Sequence, residues 1–108
     1  MFITVIETPE FERRCKDVAL SNEDKTAMIN DLAVNPLQGV SLGSGIRKWR
    51  YAPKGQGKRG GYRVVYFYAS QLNKPIYLLT VFGKKDKTNL TPKETIALRQ
   101  LGKTLMEI

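Results

Sequence analysis

Two stretches in the second half of the chain decide its fold: residues 62–70 read YRVVYFYAS and residues 75–82 read PIYLLTVF. The first is rich in β-branched and aromatic residues, which favour strands. The second is almost wholly apolar, as expected for a central strand that is buried on both faces. Just before them, residues 46–52 (IRKWRYA) alternate between aromatic and basic side chains, as a strand with one buried face does. These three segments predict a mostly antiparallel sheet.

The chain around these strands carries the signals of three helices. Thr8-Pro9 and Ser21 are typical first residues of helices, and Asn35-Pro36 is a typical end. Thr91-Pro-Lys-Glu94 is a capping box with proline at the first helical position, so a third helix is predicted after the last strand.

The remaining segments complete a β-α-α-β-β-β-α order. Residues 1–6 (MFITVI) have the length and composition of a strand, and residues 37–45, with three glycines, are predicted to be a loop. Residues 53–61 connect two strands as a hairpin. We therefore predict an α+β fold in which helices pack on one face of the sheet, within a single domain spanning residues 1–108.

Composition excludes several classes of function. The chain has no histidine, so Ser-His triads and histidine metal sites are absent, and its one cysteine, Cys15, lies on an apolar helical stripe where packing is the expected role. No apolar run reaches the roughly 18 residues of a membrane helix. The first residues also lack the basic lead and long apolar stretch of a secretory signal, so we expect a cytoplasmic protein.

Charge is distributed unevenly along the chain, which carries a formal net charge of +8. Residues 1–45 hold seven acidic and four basic side chains, whereas residues 46–108 hold three acidic and fourteen basic ones. Such an asymmetry predicts a basic face and a polyanionic partner, with nucleic acid or the ribosome as the first candidates. A solvated surface with excess lysine is the alternative.

Basic residues from separate strands are candidates for a single site. Lys48 and Arg50 are two residues apart on a strand, so they project from the same face. The predicted hairpin brings Arg63 near this pair, and Lys84 and Lys85 follow the last strand. We therefore expect these five cations to converge on one concave surface, although an open sheet face wetted by solvent would also accommodate them.

The connection at residues 53–61 (PKGQGKRGG) is not a phosphate-binding loop, because a strand rather than a helix follows it and Gly57-Lys58 is not followed by Ser or Thr. It could instead be a basic hairpin tip that clamps a nucleic-acid backbone, or a plain turn. Among the aromatic residues that follow it, one or two are expected to be exposed for base stacking.

Three motifs together resemble the RelE-type toxins of bacterial toxin–antitoxin systems: GIRKWR at residues 45–50, GKRGGYRVVY at 57–66 and LTVFGKKDK at 79–87. The branch that looks most similar is that of the HigB-type toxins. The resemblance implies a ribosome-dependent endoribonuclease that cuts messenger RNA in the ribosomal A site. It also implies attack by the substrate's own 2′-hydroxyl on the adjacent phosphate, with no metal or other cofactor.

The resemblance also assigns roles to residues. Lys48 and Arg50 match the basic pair of the family, Arg63 matches the arginine after the glycine-rich loop, and Lys84 or Lys85 matches the basic residue after the last core strand. We hypothesise that Lys48 or Lys84 transfers a proton while Arg50 and Arg63 hold the scissile phosphate. The residues predicted to contact RNA or the ribosome are Arg47, Lys54, Lys58, Arg59, Tyr62 and Lys87.

A toxin of this kind implies a cognate antitoxin, and for the HigB branch a HigA-like antitoxin with a helix-turn-helix domain. Two other functions stay open from the sequence. ParE-like toxins share the fold and poison DNA gyrase, and a non-catalytic RNA-binding or ribosome-binding domain would need only the basic surface.

Overall fold

The computed structural model describes residues 3–53, 61–83, 87 and 89–108. In these residues a five-stranded sheet is flanked by three helices, and a short 3-10 turn, Ser70–Leu72, precedes the last strand. The elements are β1 (Val5–Glu7), α1 (Pro9–Asp17), α2 (Asn22–Val34), β2 (Val40–Gly43), β3 (Ile46–Tyr51), β4 (Tyr62–Phe67), β5 (Ile76–Gly83) and α3 (Pro92–Glu107).

The sheet has the strand order β1-β5-β4-β3-β2. All neighbours are antiparallel except β1 and β5, which run parallel with Val5 beside Ile76. The predicted hairpin of β3 and β4 is confirmed. As predicted, β5 lies inside the sheet, between β1 and β4, with most of its residues buried, although β4 is the middle strand of the five. The α+β class and the mostly antiparallel sheet are confirmed.

The helices differ from the prediction in their placement, because they cover both faces of the sheet. Phe11 of α1 and Met28 of α2 pack with one set of strand residues, whereas Leu105 of α3 packs with the alternate set, which includes Val65 and Phe67. The cause lies in β4 and β5, which carry apolar side chains on both faces, so that helices on one face alone would leave the other exposed to water.

All three predicted helix starts are confirmed by their caps. The Thr8 hydroxyl accepts a hydrogen bond from the Phe11 N–H and donates one to the Leu78 carbonyl. The Ser21 hydroxyl caps α2, and Thr91 and Glu94 form the complete capping box of α3. These side chains satisfy backbone N–H groups that have no partner inside the helix.

β2 is the element that the prediction missed, since residues 37–45 were expected to form a loop. It is a four-residue strand at the edge of the sheet, largely exposed, and it pairs with β3 through a bulge between Ser41 and Gly43. Val40 and Leu42 alternate with Ser41 and Gly43, but four residues flanked by glycines are too short a pattern to distinguish a strand from a loop. β1, β3 and β4 are shorter than predicted, with β4 ending at Phe67 rather than at residue 70, whereas β5 keeps its predicted length and is shifted by one residue.

Helix α3 crosses the turn between β2 and β3 at very short range. A Cβ atom built on Gly102 would lie 2.2 Å from the Ser44 carbonyl oxygen, and the Arg99 guanidinium donates to the Leu42 carbonyl beside it. The absence of a side chain at Gly102 therefore sets the distance of α3 from the sheet. Within the described ranges, no helix combines the length and the apolar composition needed to cross a bilayer.

Candidate nucleic-acid interface

Three of the predicted site residues lie on the same face of the sheet, the one that α3 partly covers. Side chains alternate along a strand, and Ile46 and Val65 pack in the cluster beneath α3. Lys48 and Arg50 follow Ile46 at two-residue steps, and Arg63 precedes Val65 by two, so all three cations project from that face. We call Lys48, Arg50 and Arg63 the basic face.

The two arginines of the basic face lie directly opposite each other. Arg50 on β3 is the register partner of Arg63 on β4, and Lys48 is the partner of Val65. Directly opposed residues have Cβ atoms about 4.5–5.5 Å apart, and diagonal ones about 7–8 Å. Like charges directly opposite one another destabilise a sheet. The arrangement therefore concentrates positive charge at one point of the surface.

The Arg63 side chain carries a second unusual feature. Its Nη1 atom is buried, yet it makes no hydrogen bond to any described residue. A buried N–H donor without an acceptor costs about 1–3 kcal/mol. Phe82 of β5, itself buried, is the register neighbour of Arg63 on the side away from Arg50. Arg63 thus lies between Phe82 and the guanidinium of Arg50, and its Nη1 atom has no acceptor among the described residues.

Lys48 is held by a residue from a distant part of the chain. Its ammonium donates a hydrogen bond to Asn89 Oδ1 at 2.6 Å, and the same oxygen accepts the Leu90 N–H at 2.9 Å. Asn89 lies in the segment that joins β5 to α3. The contact therefore connects β3 to the start of α3.

Lys87 also reaches the α3 side of the sheet, but its charge is neutralised there. Its ammonium lies 5.0 Å from the centroid of the Phe82 ring and forms an ion pair with Glu94. The Lys87 ammonium donates a hydrogen bond to the Glu94 carboxylate, and the Thr91 N–H donates another. Together these hydrogen bonds lower the pKa of Glu94 from 4.5 to about 2. Lys87 therefore adds less net charge to this surface than the sequence predicts.

The depressed pKa of Glu94 predicts a pH dependence of stability. A carboxylate with a lowered pKa in the folded state contributes stability that is complete above its ordinary pKa of 4.5 and is lost as the pH falls towards about 2. We expect Glu94→Gln to lower the melting temperature at neutral pH, and the difference from the wild type to vanish near pH ~2. Thermal unfolding followed by circular dichroism measures this. A Glu107→Gln control at the exposed far end of α3 should show little effect, and a Glu94→Gln difference that is unchanged at low pH would contradict the prediction.

Two residues that were predicted to bind RNA lie on the opposite face. The Arg47 guanidinium donates to the carbonyls of Gln38 and Gly39, at 2.9 Å and 3.2 Å, and so fixes the chain after α2. Tyr62 packs, half-buried, against the cluster beneath α1 and α2. Both occupy strand positions that alternate with those of the basic face, so the structure does not bring them together with it.

The remaining predicted site residues lie outside the described residues. They are Lys54, Lys58, Arg59, Lys84 and Lys85.

Cysteine chemistry is not a feature of this surface. Cys15 is buried in the cluster beneath α1 and α2, as predicted, and burial raises its pKa to about 11. It is therefore a neutral thiol under ordinary conditions. In the portion of the chain that the structure describes, no three or more Asp, Glu or Cys side chains cluster as metal ligands would.

Sequence analysis missed two residues that shape the site, Asn89 and Glu94. Glu94 was identified only as part of a capping box, and its second role as the partner of Lys87 gave no signal, because Lys87 precedes α3 and no helical spacing relates the two residues. Asn89 gave no such signal, because its contact with Lys48 spans 41 residues of chain.

A family model described as "RelE toxin of RelE / RelB toxin-antitoxin system" matches residues 3–108. The match covers nearly the whole chain, including every element of the sheet and the basic face. It agrees with the fold, which is α+β with three helices and a mostly antiparallel five-stranded sheet. The chain therefore belongs to the RelE toxin family, as the toxin of a toxin–antitoxin system with an antitoxin as its partner.

Proposed function

We propose that this toxin is a ribosome-dependent endoribonuclease that cleaves messenger RNA in the ribosomal A site without a metal, and so inhibits translation. In this proposal, Arg50 and Arg63 bind the scissile phosphate. Lys48, or Lys84 from the chain after β5, transfers a proton. The 2′-hydroxyl of the substrate loses its proton to water and attacks the adjacent phosphorus, and the bond to the 5′-oxygen of the next nucleotide breaks as that oxygen takes up a proton.

The opposed pair of Arg50 and Arg63 is the observation that carries this proposal. A phosphodiester bound between the two guanidinium groups would offset their mutual repulsion and supply an acceptor for Arg63 Nη1, which is buried without one among the described residues. Arginine binds phosphate through two parallel N–H donors, so the pair has the right chemistry for this ligand.

The chemistry of the basic face suits a reaction in which negative charge grows on phosphate. In-line attack adds charge to the non-bridging oxygens, and fixed guanidinium groups stabilise that charge without changing protonation state. Lys48 lies next to Arg50 along β3, within roughly 7 Å, so a single phosphodiester can contact both residues. An ammonium group in this position can protonate the departing 5′-oxygen.

The ends of the cleaved RNA test the proposal. Attack by a 2′-hydroxyl leaves a 2′,3′-cyclic phosphate on one fragment and a 5′-hydroxyl on the other. We therefore expect that, after brief induction in cells, transcripts with new 5′-hydroxyl ends accumulate, with cuts in phase with codons. Purified toxin should cut the same message on programmed ribosomes but not free in solution. The matched control is a toxin with Arg63→Ala.

Other outcomes of this experiment assign other functions. Intact messages accompanied by broken DNA would identify a gyrase poison of the ParE type. Intact messages and intact DNA, with binding to ribosomes that weakens steeply as salt rises, would identify a non-catalytic RNA-binding domain. New 5′-phosphate ends would indicate attack by water rather than by the 2′-hydroxyl.

The proposed activity determines the cellular context. A ribosomal substrate requires a toxin in the cytoplasm, with the ribosome and messenger RNA as partners in addition to the antitoxin. The antitoxin that we propose is HigA-like, with a helix-turn-helix domain, because the motifs of the chain resemble the HigB branch. Mass spectrometry of proteins that co-purify with an Arg63→Ala toxin tests this.

A further inference from the structure

We propose that Asn89 is a positioning residue, which fixes the Lys48 ammonium on the basic face next to Arg50. The inference rests on the proposed nuclease function and adds a residue to it. Its basis is the 2.6 Å hydrogen bond from Lys48 Nζ to Asn89 Oδ1.

Asn89 is itself held in place by its surroundings. Its Oδ1 also accepts the Leu90 N–H, and Leu90 packs against the cluster beneath α3. Two residues further on, Thr91 begins α3 through the capping box, and Glu94 of that box binds Lys87. Asn89 therefore links the flexible side chain of Lys48 to a fixed point, the start of a helix.

The chemical nature of the Asn89 side chain is as important as its position. The two lysines on this side of the sheet have different acceptors: Lys87 binds a carboxylate, which cancels its charge, whereas Lys48 binds a neutral amide. An amide acceptor orients an ammonium group and leaves its positive charge available to an incoming phosphate. A carboxylate at position 89 would orient Lys48 equally well and neutralise it.

Rate measurements on ribosome-bound messenger RNA test the proposal. Misplacing a reacting group by about 1 Å can cost up to 10²-fold in rate. We expect Asn89→Ala to lower the single-turnover cleavage rate about 10-fold while the apparent affinity for programmed ribosomes stays unchanged. Asn89→Asp should also be slow, because it neutralises Lys48. Asn30→Ala, which removes the same type of side chain from an exposed position of α2 on the other face of the sheet, is the control and should retain the wild-type rate.

A double-mutant cycle identifies the path of the effect. If Asn89 acts through Lys48, Asn89→Ala should cause no further loss of rate in a Lys48→Ala background. An equal loss in both backgrounds, a wild-type rate for Asn89→Ala, or an equal loss for Asn30→Ala would each overturn the proposal.

The position of Lys48 can be measured without any cleavage assay. In ¹H–¹⁵N spectra of the lysine ammonium groups, with the Lys48 signal assigned by Lys48→Arg, we expect slow exchange with water in the wild type. Exchange should become fast in Asn89→Ala and stay slow in Asn89→Asp. Fast exchange in the wild type would refute the role of Asn89 even in an active nuclease. Slow exchange in a toxin that cuts no RNA would refute the proposed function alone.

Discussion

Replacing Arg63 by alanine is expected to abolish growth arrest and to lower the rate of messenger RNA cleavage by about 10²–10³-fold, the usual loss when one donor to a developing oxyanion is removed. Arg63 lies opposite Arg50 and next to the buried Phe82, with Nη1 lacking an acceptor among the described residues. β4 contains no other arginine that could take over this contact. Growth after induction and single-turnover cleavage on ribosomes measure the effect.

The same residue should be unnecessary for the fold, and this separates a functional role from a structural one. Arg63→Met keeps the aliphatic stem and removes both the buried unsatisfied donor and the repulsion from Arg50. We expect its melting temperature to equal or exceed that of the wild type while its activity is lost, as is common for residues selected for function. A large fall in melting temperature would indicate a structural role instead.

Two further variants define which property of Arg63 matters. Arg63→Lys keeps the charge but loses the planar pair of donors, so it should recover only part of the activity. Lys16→Ala removes one charge of the same sign from exposed α1, on the other face of the sheet, and should remain fully toxic. Undiminished toxicity of a folded Arg63→Ala protein would eliminate the phosphate-binding role.

Gly102→Ala is expected to destabilise the protein by about 1–3 kcal/mol, although the same change stabilises most helices. Alanine is favoured over glycine inside a helix by about 1 kcal/mol. At this position the new Cβ would lie 2.2 Å from the Ser44 carbonyl oxygen and 3.1 Å from Ile46 Cγ1. A backbone oxygen cannot rotate away as a side chain can, so α3 must shift, and such overpacking costs about 1–3 kcal/mol beyond the helix gain.

Thermal and denaturant unfolding measure this effect. For a domain of this size, each kcal/mol corresponds to a change in melting temperature of about 4–8 °C. Lys103→Ala, at an exposed neighbouring position of α3, is the matched control and should change the free energy of unfolding by less than about 0.5 kcal/mol. A Gly102→Ala protein that melts at or above the wild-type temperature would contradict the close crossing of α3 over the turn.

Much of the fold was predictable because its signals are local. The caps at Thr8, Ser21 and Thr91 are side-chain hydrogen bonds to backbone only three residues away, so they appear in the sequence as short motifs. The apolar run of β5 is likewise a local signal, and it predicted that this strand lies inside the sheet rather than at an edge. The placement of α3 on the second face was not predicted, because it depends on which strand residues share a face.

The basic face was only partly predictable, and the reason is register. Alternation along β3 placed Lys48 and Arg50 on one face, but only the pairing of β3 with β4 puts Arg63 opposite Arg50. A shift of one residue in the register between β3 and β4 would have moved Arg63 to the other face of the sheet. Side chains alternate between the two faces along a strand, and this alternation explains why Arg47 and Tyr62 face away from the basic face although they are its neighbours in sequence.

The parallel pairing of β1 with β5 affects how the molecule is made. Val5 is paired with Ile76, so the amino-terminal strand has no partner until most of the chain has been synthesised. Contacts between residues so far apart in sequence form late and slowly. A nascent chain that stops short of β5 therefore cannot complete the sheet, and an antitoxin that recognises the assembled sheet can bind only after translation has passed that strand.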